Sequence, residues 1–186
     1  MSEETLRLFV ALELSADVRG ELARWARSVE TSVRGLRVVD EASLHVTLCF
    51  LGSRPAGEVD QIAAACMVLP ECGPARLRTG EGIWLPRRRP RVLAVELQDE
   101  SGRLAGIQAR LSDVLCAGGW YEPQERAFTP HVTVARVRRD ARVRHAELPD
   151  VPELSFEGTR VVLYESQLGA GGARYRARAR VDLIVS

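Results

Sequence analysis

Two short segments of this chain carry residues able to do chemistry. Leu44-His45-Val46-Thr47-Leu48 and Pro130-His131-Val132-Thr133-Val134 repeat the pattern His-x-Thr 86 residues apart and use two of only three histidines in 186 residues. A strand has a side-chain period of two, so His45 and Thr47 share a face, as do His131 and Thr133. An imidazole with a pKa near ~6.5 can work in either protonation state around neutrality. Two of them can divide one displacement: a neutral ring takes a proton from water, and a charged ring gives one to the departing alkoxide. The threonine hydroxyls can donate to anionic oxygens held between the rings. This set suits displacement at phosphorus, where positioning and charge stabilisation carry the reaction. It requires no metal and no cofactor. One His-x-Thr alone reads as a packed core pair, but a duplicated one in matching strands has no packing reason. No carboxylate pair, Walker loop or GxSxG elbow competes with it.

The elements around these segments follow from hydrophobic periodicity. Leu6–Leu14 alternates, with Leu6, Leu8, Val10, Leu12 and Leu14 on one face and Arg7, Phe9, Ala11 and Glu13 on the other, which predicts a strand. Helical spacing predicts a helix from Val18 to about Val33, capped near Ser15. A short strand over Leu36–Val39 and a stronger one over Leu44–Leu51, ended by Gly52, come next. A second helix spans Glu58–Leu69, stopped by Pro70. Strands over Arg76–Leu85 and Arg91–Leu97 flank the loop Pro86–Pro90. A third helix spans Leu104–Leu115, followed by strands at Phe128–Val137, within Leu154–Leu168 and over Arg174–Val185. This order implies an α+β fold with antiparallel sheets. The repeated motif, each copy following a helix and a short connecting segment, implies two similar lobes facing across a cleft.

Composition narrows the class further. Apolar residues make up 46% and charged residues 27%, which is globular. No apolar run reaches the ~18 residues of a membrane span. The acids in MSEETLRLFV do not fit a secretory signal. Cys49, Cys66, Cys72 and Cys116 show no CxxC pairing and, with three histidines, compose no zinc site of standard spacing. They read as free thiols in a reducing cytoplasm. All 26 basic residues are arginine on a chain of net charge +1. Half of them fall in three stretches: Arg87, Arg88, Arg89, Arg91; Arg136, Arg138, Arg139, Arg142, Arg144; and Arg174, Arg176, Arg178, Arg180. Local positive surfaces on a near-neutral protein suit a partner with a few phosphates, not a long duplex.

These residues and their flanks resemble the two-histidine phosphoesterase superfamily, and within it the RNA 2',3'-cyclic phosphodiesterases, a LigT-like group once called 2'-5' RNA ligases. The resemblance runs from about Leu6 to Leu183 through RLFVALEL, SLHVTLCFLG, PRVLAVEL, FTPHVTVARVR and LYESQL with the later Tyr175. It implies a single bilobal domain over residues 1–186, with antiparallel sheets lining a central cleft, helices outside and one motif per lobe. It implies opening of a terminal RNA 2',3'-cyclic phosphate to a 2'-phosphate, with His45 as proton donor and His131 as proton acceptor. Thr47 and Thr133 then match phosphate-holding hydroxyls, and Arg136 matches a phosphate-neutralising arginine. RNA ends or small cyclic nucleotides are the expected partners of a cytoplasmic monomer that uses no metal and no membrane.

Several residues carry two readings. On an unbroken strand Arg136 points away from His131, so a bulge or the strand's end must turn it inward. Phe9 is either a stacking platform for a base or a core residue. Cys49 has the parity of His45 and Thr47, which points it at the cleft, but it lacks a base of its own. His145 reads as exposed. The arginine face of the last strand and the loop Arg87–Arg91 are either solvated or a wall for RNA. Two other functions stay open within the same site: 2'-5' ligation by microscopic reversibility, and hydrolysis of another small cyclic phosphoester. A non-catalytic RNA-end binding module is the alternative outside catalysis, and two intact histidines argue against it.

Overall fold

The alternation at the N-terminus forms β1 (Thr5–Glu13), and its even row from Leu6 to Leu14 is buried. Ser15 Oγ accepts from the Val18 amide and starts α1 (Ala16–Ser32), which buries Val18, Leu22, Trp25, Ala26 and Val29. The computed structural model describes residues 4–123, 126–143, 146–169 and 172–184. Arg144 and the expectation of an exposed His145 fall outside these residues.

The remaining elements are β2 (Leu36–Val38), β3 (His45–Pro55), α2 (Val59–Ala65), β4 (Ala75–Leu85), β5 (Val92–Gln98), α3 (Arg103–Ala117), β6 (His131–Val137), β7 (Ser155–Gly158), β8 (Arg160–Gly169) and β9 (Gly172–Asp182). Of the boundaries that differ from the periodicity, three have a clear local cause. β3 passes through Gly52, which takes φ 73° and bends the strand instead of ending it. α2 is one short α-helical stretch; from Cys66 onward the chain tightens into 3-10 turns before Pro70. β6 begins at His131, because Pro130 has no N–H to give to a ladder.

All strand pairings are antiparallel, in one curled sheet of order β7-β4-β5-β6-β3-β1-β8-β9, with β2 against β6. The halves interlock. α1 packs against β2 and β6, whereas α3 packs against β3 and β4, so each motif strand lies over a helix from the other part of the chain. The curl brings β7 onto β1, where a Cβ at Gly158 would collide with the fully buried Leu12. Gly158→Val is therefore expected to cost about 1–3 kcal/mol by overpacking. In a chain of this size that is roughly 3–10 °C in Tm. A calorimetric Tm within 1 °C or so of the parent would show that Leu12 repacks freely.

Candidate active site

β3 and β6 meet at the single pair Val46↔Val132, both fully buried. His45 and Thr47 flank the first valine and His131 and Thr133 the second, all half-buried on the opposite face. Antiparallel continuation of this register sets His45 beside Thr133 and Thr47 beside His131. The two motifs thus interdigitate across a local two-fold.

Each motif ends in the same irregularity. Val10 pairs with Cys49 and Ala11 with Thr47, which leaves Leu48 as an extra residue; Leu93 pairs with Ala135 and Ala94 with Thr133, which leaves Val134 extra. A bulge reverses the parity of the residues after it. Leu48 and Cys49 are consecutively buried, as are Val134 and Ala135. The next residues, Phe50 and Arg136, turn back to the face of the histidines and line one cleft of about 850 Å³ with His45 and Thr47. The bulge that Arg136 required is present.

The same device overturns the reading of Cys49. It faces the core at 1% exposure beside Gln108 and Tyr121, and burial pushes its thiol up to about 12. It is an inert core residue.

Hydrogen bonds fix the imidazoles. His45 Nδ1 lies 2.7 Å from the Ser43 carbonyl oxygen and His131 Nδ1 lies 2.8 Å from that of Thr129. A carbonyl only accepts, so Nδ1 carries the proton in both rings and Nε2 is left for chemistry. His45 Nε2 is 3.1 Å from Thr47 Oγ1. Burial, then the charges of Arg136 and His131, push the His45 pKa down to about 4 against the opposing effect of its Ser43 hydrogen bond. Protonated His45 is therefore a minor species of the empty cleft at neutral pH.

Phe9 lies under this ring, its centroid 4.9 Å from that of His45 and 5.3 Å from that of Tyr164. At 3% exposure it is almost wholly covered, lining the cleft as a floor beneath His45. Tyr175 meets His45 edge-on at 5.3 Å. The exposed aromatic ring of the cleft is Phe50, at 45%, with the Arg7 guanidinium 4.8 Å from its centroid. Phe50 was missed in the sequence, although aligning the two motifs places it at the position of Arg136. Arg7, Arg37, Arg136, Arg138 and Arg139 line the cleft, and among the described residues no Asp or Glu does. The site is built for an anion.

Comparison with known proteins gives the family and agrees with the fold. The family model described as the 2'-5' RNA ligase superfamily matches residues 18–170. A Thermus thermophilus protein named RNA 2',3'-cyclic phosphodiesterase is 32% identical over 160 residues, covering 81% of this chain and 75% of its own. An Escherichia coli protein of the same name is 27% identical over 172 residues, covering 92% and 93%. The crystal structure of E. coli LigT complexed with 3'-AMP superposes with a TM-score of 0.82 at 24% identity, covering 97% of this chain and 99% of that one. With its paired motifs, its curled antiparallel sheet and a family match over most of its length, the chain belongs to the 2'-5' RNA ligase superfamily.

Proposed function

We propose that this protein is an enzyme that hydrolyses the terminal 2',3'-cyclic phosphate of RNA to a 2'-phosphate, without a metal. The observation that carries the reading is the pair of interdigitated His-x-Thr segments, whose matching bulges deliver Arg136 to the same face. The relatives named RNA 2',3'-cyclic phosphodiesterase support it.

His131 Nε2 takes a proton from water as the water oxygen bonds to phosphorus. The P–O3' bond breaks, and His45 Nε2 gives its proton to the departing 3' oxygen. One water is consumed, and a 2'-phosphate and a 3'-hydroxyl result. Thr47 and Thr133 donate to the non-bridging oxygens, and Arg136 offsets their charge. Phe9 holds the His45 ring. Burial keeps His45 neutral in the empty cleft, so this division requires the bound phosphate anion to favour its protonated form. The chain acts as a cytoplasmic monomer, one bilobal domain with one motif per lobe.

The test is incubation of an oligoribonucleotide ending in a 2',3'-cyclic phosphate, in excess EDTA, with identification of the product end. Nearly pure 2'-phosphate is expected, because one orientation of the ring lets one oxygen leave. A mixture of 2'- and 3'-phosphates would contradict that orientation. Activity lost in EDTA and restored by one divalent ion would remove the metal-free mechanism. Joined strands would favour ligation, and retention without turnover a binding module.

A further inference from the structure

A second cavity, of about 490 Å³, adjoins the catalytic cleft, and Arg139 lines both. Its wall carries Arg88, Arg89, Arg91, Arg139 and Arg142 over a floor of Pro90, Ala141 and Val143. The backbone under these side chains is pinned. The Arg91 amide donates to the Leu85 carbonyl at 2.8 Å, the Arg91 carbonyl accepts from the Val137 amide at 2.8 Å, and the Ala141 amide donates to the Arg138 carbonyl at 3.1 Å. Among the described residues, none of the five guanidiniums forms an ion pair with a carboxylate.

The chain has 25 acidic residues for its 26 arginines, yet among the described residues none of the acids lines this cavity. Five like charges around one hollow repel each other, and an anion placed among them removes that repulsion. One phosphate does not need five guanidiniums, whereas several successive phosphates do. The shared Arg139 makes the surface continuous with the catalytic cleft, where Arg7, Arg37, Arg136 and Arg138 extend the positive track. A strand whose 3' end lies at His45 and His131 has its remaining phosphates on the 5' side, and this is the neighbouring hollow with the charge to receive them.

We propose that the RNA strand leaves the catalytic cleft over Arg139 and that its upstream phosphates bind in this second cavity. The proposal rests on the cyclic phosphodiesterase reading and adds to it a subsite that a mononucleotide does not reach.

The experiment compares the full-length parent with an Arg88→Gln, Arg89→Gln, Arg142→Gln triple variant. Each is given a mononucleotide 2',3'-cyclic phosphate and an octanucleotide ending in the same group. The mononucleotide kcat/KM should be unchanged, which also shows that the variant is folded. With single strands losing about 0.7 in log–log salt slope per phosphate contact, the parent's octanucleotide kcat/KM should fall roughly 20-fold more than the variant's between 50 and 200 mM salt. Equal salt slopes in the two proteins would overturn the proposal. Anisotropy of a labelled octanucleotide reads the same slope without turnover. If neither substrate is opened, the activity reading fails, and the binding slopes still decide whether the second cavity takes RNA.

Discussion

Replacing His131 with alanine is expected to lower kcat for cyclic phosphate opening by ~10²–10⁴, and replacing His45 by a similar factor, because each ring performs one proton transfer. The protein should stay folded. Both side chains are half-buried on the sheet face opposite the valines that join β3 to β6. His131→Ala loses one side-chain bond, to the Thr129 carbonyl, and His45→Ala loses two, to the Ser43 carbonyl and to Thr47 Oγ1. A lost bond of this kind is worth about 1 kcal/mol. The double variant should lose far less than the product of the single losses, since the groups act as a unit. Single-turnover kinetics at saturating substrate, with circular dichroism as the fold control, make the measurement. A folded His131→Ala protein turning over near the parental rate would end its role as base.

Arg136→Gln should lower kcat by roughly 10²–10³, the usual cost of one donor to developing oxyanion charge. It should also move the pH profile. The free-enzyme profile of kcat/KM is expected to be bell-shaped, with the limb set by His45 near pH 4, the value to which burial, Arg136 and His131 push it. As the proton donor, His45 loses its competent form as pH rises through that value. The charge of Arg136 disfavours protonated His45. Removing it therefore raises this pKa and shifts the limb toward neutrality. Arg136→Lys keeps the charge and loses the fork, so its limb should stay near the parental position while its rate falls. The limbs belong to the coupled pair of histidines and not to either ring alone. A parental limb at pH 6 or above, or one that Arg136→Gln leaves in place, would show that burial and Arg136 do not hold His45 near this value in the empty cleft.

Local sequence was enough to specify most of the elements and the shared faces of the motif residues. Leu6–Leu14 alternates without interruption and forms β1; Val18 to Val29 repeats at helical spacing and buries one stripe as α1. His45, Thr47, His131 and Thr133 have their shared face by the period of a strand, which is a local property. Periodicity over neighbouring residues carries this much because backbone geometry is set locally. The resemblance supplied the roles as proposals, and the family match bears out the resemblance itself.

What lay beyond the sequence was everything that depends on a partner strand. A bulge is defined only against the strand it pairs with, so the extra residues Leu48 and Val134 are invisible in LHVTLCFL or FTPHVTVARV. Those two residues decide that Arg136 and Phe50 enter the cleft and that Cys49 leaves it. Phe9 shows the same limit: its parity puts it on the cleft face, where it is found, but only the tertiary structure shows how closely Tyr164, Tyr175 and His45 pack around it. The depressed pKa of His45 is likewise tertiary, since burial and the charge of Arg136, 91 residues away in the chain, act on it only after β3 and β6 have met at Val46 and Val132.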